Sequence, residues 1–130
     1  MKIKDMSIIL KVIYELARKR RKLEEKYGWN GDLNTYDTFK KSDGYKTIIN
    51  AEKEIENFMM ALEYDVLKDI MAIMYIGAVG CDGLEPDAAF EIFKETISWS
   101  GKKLDVTHMI EKSPLDKYIK VGCELLKINL

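Results

Sequence analysis

The stretch VLKDIMAIMYIG, residues 66–77, decides the fold of this 130-residue chain. Its polar side chains stand near the start, and from Ile70 to Ile76 the sequence is apolar on nearly every side of a helix. A helix that is apolar all round is buried among neighbours in a globular protein. We therefore predict a central helix over about residues 65–77, with the Asp65 carboxylate capping the free amides of its first turn.

Amphipathic helices are predicted on both sides of this stretch, because apolar residues recur there at spacings of three and four. The predicted ranges are 7–27, about 45–63, 86 to about 98, 106–112, and 113 onward. Their expected inner faces are Ile9, Ile13, Leu16, Leu23 and Tyr27; Ile48, Ile55, Met59 and Leu62; Ala88, Ala89, Ile92, Phe93 and Ile97; and Leu115, Tyr118, Ile119, Gly122, Leu125 and Leu126. Pro86 suits a first helical position, and Ser113 with Pro114 opens the last helix.

No alternating pattern typical of strands competes with these helices, so the predicted fold is all-α. Length and a composition of 47% hydrophobic and 33% charged residues indicate one compact domain over 1–130, built from five to six helices. Two cysteines make no disulfide framework, and the first residues lack a signal-peptide pattern, which favours a cytoplasmic protein with free thiols. The longest apolar stretch is about half of what a bilayer requires.

Three glycines, at positions 77, 80 and 83, punctuate the segment YIGAVGCDGLEPDAAFEIF, residues 75–93. A phosphate-binding P-loop would need Lys and Ser or Thr after the last glycine, whereas Leu84 and Glu85 follow it. A dinucleotide fingerprint would need a preceding strand. The glycines are therefore predicted to end one helix and reverse the chain before the next. The acidic residues Asp82, Glu85 and Asp87 lack the ligand pattern of a calcium loop.

Groups that could support catalysis or metal binding are few. His108 is the only histidine, and no Cys-x-x-Cys or Cys-x-x-His spacing joins it to Cys81 or Cys123. We predict no catalytic, metal or cofactor site. A metal- or thiol-dependent enzyme at Cys81, Asp82 and His108 is the third of three functional hypotheses.

The run ARKRRKLEEK, residues 17–26, is the strongest local signal. Residues 1–27 carry a net charge of +5 and the remaining residues −6. On a helix, Arg18 and Lys22 project together, Lys19 and Arg21 flank them, and Arg20 falls close to the apolar face, where it needs a carboxylate or a route to solvent. Such a face can bind phosphates or an acidic partner, or it can be a solvated face whose cations pair with nearby glutamates.

The segment from Gly28 to Gly44 is predicted to be a long loop, because turn-forming residues alternate with apolar ones without a helical or strand period. Its large apolar residues are Trp29, Leu33, Tyr36 and Phe39. Loops of this length in compact domains are usually functional or mobile, although an aromatic-pinned surface loop is the simpler interpretation.

Two motifs, LKDIMAIMYIG (residues 67–77) and HMIEKSPLDKYIKVGCELL (residues 108–126), resemble an uncharacterised family of small helical bacterial proteins, catalogued as a domain of unknown function. Its members tend to show an apolar helix that ends in Ile-Gly and a late helix with Pro-Leu-x-x-Tyr-Leu-x-x-Gly. The resemblance covers about residues 62–126. The chain departs from the family after Gly77, where Ala78–Asp82 replaces an expected Arg-Gly-Asp run. The resemblance implies a helical fold and no activity.

Without a convergent catalytic set, the leading hypothesis is a non-enzymatic interaction or regulatory module that binds another protein. Small chains of this class are often encoded by bacteria or phages to modulate or inhibit larger machines such as defence systems. The candidate partner-binding residues are Arg18, Lys19, Arg21, Lys22, Trp29, Tyr36 and Phe39. Nucleic-acid binding through Arg18 to Lys22 is the alternative.

Overall fold

The computed structural model describes residues 3–29, 31–112 and 114–130, and all regular secondary structure in these ranges is helical. The α-helices are α1 (Ser7–Tyr27), α2 (Tyr36–Lys40), α3 (Asp43–Met60), α4 (Tyr64–Val79), α5 (Pro86–Thr96), α6 (Lys102–Glu111) and α7 (Leu115–Leu125). Short 3-10 helices occupy Ile3–Met6 and Leu33–Thr35. The all-α prediction is confirmed for the described residues. They hold seven α-helices rather than five or six, because α2 lies inside the segment predicted to be a loop.

Helix α4 contains the apolar stretch Ile70–Ile76, and it is buried along most of its length. It packs against α7 and α5, and to a smaller extent against α6. Its buried side chains are Leu67, Asp69, Ile70, Met71, Ala72, Ile73, Met74 and Ile76. The predicted cap is wrong, since the helix begins one residue before Asp65 and no side chain caps it. Asp65 lies instead in the first turn, where the helix dipole favours a carboxylate.

The crossing of α4 and α7 depends on two glycines. A Cβ atom added at Gly77 would lie 1.8 Å from the carbonyl oxygen of Tyr118, and one added at Gly122 would lie 2.2 Å from the carbonyl oxygen of Ile73. Both distances are far below any van der Waals contact, so the two backbones touch without side chains between them. Gly77 therefore serves close packing inside the helix, while α4 continues to Val79 and ends at Gly80.

Helix α1 packs against α3 on one side and α7 on the other. Its buried residues are Leu10, Ile13, Ala17 and Arg20. The buried face of α1 therefore differs from the predicted one. Ile9 and Leu16 are only partly buried at the edge of the observed face, and Tyr27 is 39% exposed. The burial is centred between the two neighbouring helices, and Tyr27 at the end of α1 lies beside the start of α3, where a Cβ atom added at Gly44 would be 2.7 Å from the Cβ atom of Tyr27.

The later helices bury narrower faces than predicted. Helix α5 packs chiefly on α4 and buries only Ala89 and Phe90, so the predicted core residues Ala88 and Ile92 are exposed. In α7, Leu125 is 38% exposed whereas Cys123 is buried. Helix α6 begins at Lys102, four residues before the predicted start, and packs mainly against α3. The predicted cap Ser113 lies outside the described residues.

Among the described helices, none combines the length and the apolar character that crossing a membrane requires.

Candidate interaction surface

Two of the four cations predicted to form a binding face on α1 are engaged in contacts between helices. Lys19 Nζ lies 3.0 Å from Oε1 of Glu54 on α3. Arg21 Nε lies 3.0 and 2.8 Å from the two carboxylate oxygens of Asp116 on α7, which is 2% exposed. The hydrogen bond to Asp116 raises the pKa of Arg21. Since a buried carboxylate needs a partner, Arg21 stabilises the packing of α1 on α7.

The other two cations, Arg18 and Lys22, are exposed. Neither makes an ion pair or a side-chain hydrogen bond with any residue that the structure describes. They lie with Glu15 and Leu23 along an open depression of about 350 Å³ on the outer side of α1. The basic surface available to a partner is therefore smaller than the sequence suggests.

Arg20 is the cation whose position the helical pattern made problematic, and it is 4% exposed. Its Nη1 donates a hydrogen bond of 2.6 Å to the carbonyl oxygen of Ile110, in the last turn of α6. Its Nε lies 3.3 Å from Oε1 of Glu24. Of the two alternatives for Arg20, a carboxylate or a route to solvent, the structure shows the carboxylate. In addition, Arg20 satisfies a carbonyl at the C-terminal end of α6, where helices lack intrahelical donors and cations are favoured.

The predicted loop holds aromatic rings that contact one another, and we call it the aromatic segment (residues 28–29 and 31–44). The Trp29 and Tyr36 rings stack with centroids 4.9 Å apart, and Trp29 Nε1 donates a 2.8 Å hydrogen bond to the carbonyl oxygen of Asp32. Phe39 meets Tyr45 of α3 edge-on at 5.3 Å. Trp29 is 37% exposed. The interpretation as an aromatic-pinned surface segment therefore fits this part of the chain.

A groove of about 500 Å³ opens where the aromatic segment meets the ends of α1 and α6, and we call it the aromatic groove. It is lined by Arg20, Glu24, Gly28, Trp29, Phe39, Tyr45, Ile48, Ile49, Glu52, Ile110 and Glu111. Burial raises the pKa of Glu52; the Arg20 guanidinium opposes this rise and the Glu24 carboxylate adds to it. Trp29 and Phe39 are thus brought together with charged groups from three helices, and Tyr36 supports Trp29 from outside the groove lining.

The glycine segment forms the turn that its sequence predicts. Gly80 and Gly83 have positive φ angles of 83° and 77°, and Asp82 shares this backbone region with a φ of 52°. Asp82, Glu85 and Asp87 are all exposed. No group of three or more His, Cys, Asp or Glu side chains suited to a metal ion occurs in the part of the chain that the structure describes.

The two cysteines and the histidine lie in different environments. Cys123 is buried in α7, Cys81 is half-buried after α4, and His108 is exposed on α6. Among the described residues, no hydrogen bond joins His108 to either thiol. The structure therefore does not join the residues of the third hypothesis by hydrogen bonds.

Thiol titration at pH 8 is expected to find one fast thiol, Cys81, and one protected thiol. Burial raises the pKa of Cys123 to about 12, so its reactive thiolate is nearly absent at this pH. Ellman's reagent should label one thiol in the folded protein and two in urea, and Cys81→Ser should abolish the fast phase. A fast phase that survives in Cys81→Ser would contradict the assignment.

Three buried carboxylates were not anticipated from the sequence. Asp116 pairs with Arg21, Asp69 lies 2.6 Å from Lys94 Nζ, and Asp105 accepts hydrogen bonds from the Tyr64 hydroxyl and the Ser100 amide. The only sequence feature that could have indicated their burial is the spacing of the aspartates from buried apolar residues on the same helix. Asp105 stands four residues before buried Met109, and Asp116 three before buried Ile119. Charged residues in a core register need partners, and here each carboxylate has a partner from another helix.

In the part of the chain that the structure describes, the protein is all-helical, and its aromatic segment lies beside a groove that is partly lined by carboxylates. No protein-family model, curated protein or solved structure matches the chain.

Proposed function

We propose that the protein is a non-enzymatic interaction module that binds another protein at the aromatic groove. The observation that carries this proposal is the position of Trp29, which stacks on Tyr36, lines the groove and is still 37% exposed. Rigid aromatic side chains next to a concave surface are typical anchors of protein interfaces. The exposed cations Arg18 and Lys22 lie on the outer side of α1, away from Arg20, and form a second proposed contact surface.

The biological role that we propose is modulation or inhibition of a larger machine, such as a defence system, by a small bacterial or phage protein. The size and helical class of the chain support this role. Membership of the family of small helical bacterial proteins is proposed on the same footing, from the motifs at residues 67–77 and 108–126.

Nucleic-acid binding by α1 is the competing function, and the ion pairs of Lys19 and Arg21 argue against it. Among the predicted residues, Arg18 and Lys22 are the cations that make no ion pair with a described residue, while the exposed Lys19 would have to leave Glu54 to contact a phosphate. Two contacts would give a slope of about −2 in a plot of log affinity against log salt concentration. A slope of about −2 or steeper, reduced by about 2 in an Arg18→Ala, Lys22→Ala double variant, would favour nucleic-acid binding over our proposal.

Capture of a partner from a lysate of the source organism tests the interaction directly. The protein should retain a defined partner, identified by mass spectrometry, and Trp29→Ala should reduce its recovery at least tenfold through loss of the anchor. Ile92→Ala is the matched control, because Ile92 is an exposed apolar residue on α5. The proposal is wrong if no partner is retained, or if Trp29→Ala and Ile92→Ala retain it equally.

A further inference from the structure

The aromatic groove continues beyond the aromatic segment. A second depression of about 260 Å³ lies next to it between α3 and α6. The residues common to both are Ile49, Glu52, Ile110 and Glu111. An extended segment of a partner could therefore place one side chain in the aromatic groove while its backbone follows the adjoining depression.

The charge of the aromatic groove is negative. It is lined by the carboxylates of Glu24, Glu52 and Glu111 and by one guanidinium, that of Arg20. Arg20 directs its Nη1 to the Ile110 carbonyl and its Nε to Glu24, so its charge is turned toward the protein. The burial that raises the pKa of Glu52 also indicates that this carboxylate lacks full compensation in the unliganded protein.

The second depression has the same sign. Glu56 and Lys53 join Glu52 and Glu111 in its lining, and Lys103 of α6 pairs with Glu56. An anionic ligand would meet carboxylates at both positions. A positively charged ligand would relieve their mutual repulsion.

The aromatic walls restrict the kind of cation. The rings of Trp29, Phe39 and Tyr45 line the groove, and one face of Trp29 is taken by Tyr36. Aromatic rings attract organic cations through their faces, and a planar guanidinium can stack on indole while it bonds a carboxylate in a bidentate manner. A small metal ion would gain nothing from these rings.

We propose that the aromatic groove binds the side chain of an arginine presented by a basic segment of the partner. This inference rests on the proposed function, because it names the chemistry of the partner at the same surface. In the bound state the guanidinium lies against Trp29 and pairs with Glu52 or Glu111.

The test is an NMR titration of the full ¹⁵N-labelled chain with the peptide acetyl-Gly-Gly-Arg-Gly-Gly-amide. The chain has two tryptophans, so the indole N–H signals give a reporter at Trp29 and an internal control at Trp99. The arginine peptide should shift the Trp29 signal and leave that of Trp99 unchanged. A matched peptide with citrulline, which keeps the shape without the charge, should bind at least tenfold more weakly, and one with lysine should fall between the two.

Variants on the protein side test the carboxylates. Glu52→Gln and Glu111→Gln should each weaken the arginine peptide several-fold, whereas Glu95→Gln, an exposed carboxylate on α5, should not. The Trp99 signal reports whether each variant is folded, and the citrulline comparison needs no variant. The inference is overturned if the Trp29 signal does not move at millimolar peptide, if citrulline binds as well as arginine, or if an acidic peptide shifts Trp29 equally.

Failure of this inference can be distinguished from failure of the proposed function. If a partner is captured in a Trp29-dependent manner while the arginine peptide does not bind, the interaction module stands and the ligand assignment is wrong. If the arginine peptide binds while no Trp29-dependent partner is captured, the groove chemistry stands and the protein-interaction function is wrong.

Discussion

Replacing Gly77 with alanine is expected to lower the free energy of unfolding by about 2–4 kcal/mol. Alanine is the better helix former by about 1 kcal/mol, so an unpacked site would gain stability. At Gly77, however, the new methyl group would lie 1.8 Å from the carbonyl oxygen of Tyr118. The obstacle is backbone, which cannot rotate away as a flexible side chain could. Helices α4 and α7 must therefore separate, and the packing between them is lost.

Gly122→Ala should behave in the same way, since its methyl group would lie 2.2 Å from the carbonyl oxygen of Ile73. Both substitutions force apart the same pair of helices. The double variant should consequently lose less stability than the sum of the two single losses. Urea unfolding followed by circular dichroism measures all three changes.

Gly83→Ala provides the matched control for Gly77→Ala. A Cβ atom at Gly83 meets nothing within 4 Å, and the only penalty there is the positive φ of 77°. That penalty is about 1–2 kcal/mol. If Gly77→Ala costs no more than Gly83→Ala, the close crossing of α4 and α7 is not what holds the two helices together.

The parts of the fold that could be predicted are those set by local sequence. The continuous apolar run Ile70–Ile76 is expected to be buried in a globular helical protein, and this part of α4 is buried apart from the partly exposed Tyr75. Pro86 stands at the start of α5, where its fixed φ angle suits a helix without knowledge of the tertiary structure, and α1 ends directly before Gly28. Helix α2 was missed because its five residues are too few to show a period.

The buried charges and the groove could not be derived from one helix at a time. A helical projection shows that Arg20 stands near a core position, but its acceptor lies 90 residues away, and that of Arg21 lies 95 residues away. The aromatic groove combines residues from α1, the aromatic segment, α3 and α6. Trp29 and Phe39 were identified because large rings in a polar segment are unusual, whereas Glu52 and Glu111 look like ordinary surface residues.

Arg20→Ala is expected to lower the free energy of unfolding by about 2–4 kcal/mol. The substitution removes a charged donor from the Ile110 carbonyl at 2.6 Å and from Glu24 at 3.3 Å. Hydrogen bonds to charged groups contribute about 1.5–3 kcal/mol, and the deleted stem leaves a gap between α1 and α6. Arg20→Met keeps the stem, so it should lose only about half as much stability as Arg20→Ala.

Lys22→Ala is the matched control, because it removes the same charge from the same helix at an exposed position. Surface substitutions of this kind usually change stability by less than about 0.5 kcal/mol.

Hydrogen exchange measures the effect on α6 itself. Without Arg20 the last turn of α6 loses its external hydrogen-bond donor, so the amides of this turn should exchange faster in Arg20→Ala and Arg20→Met. Their exchange rates should be unchanged in Lys22→Ala. Equal unfolding free energies for Arg20→Ala and Lys22→Ala would mean that burial of the guanidinium against α6 contributes nothing to stability. The same guanidinium lines the aromatic groove. Faster exchange in Arg20→Met, at about half the stability loss of Arg20→Ala, would show that α6 depends on this hydrogen bond at the site where the partner is proposed to bind.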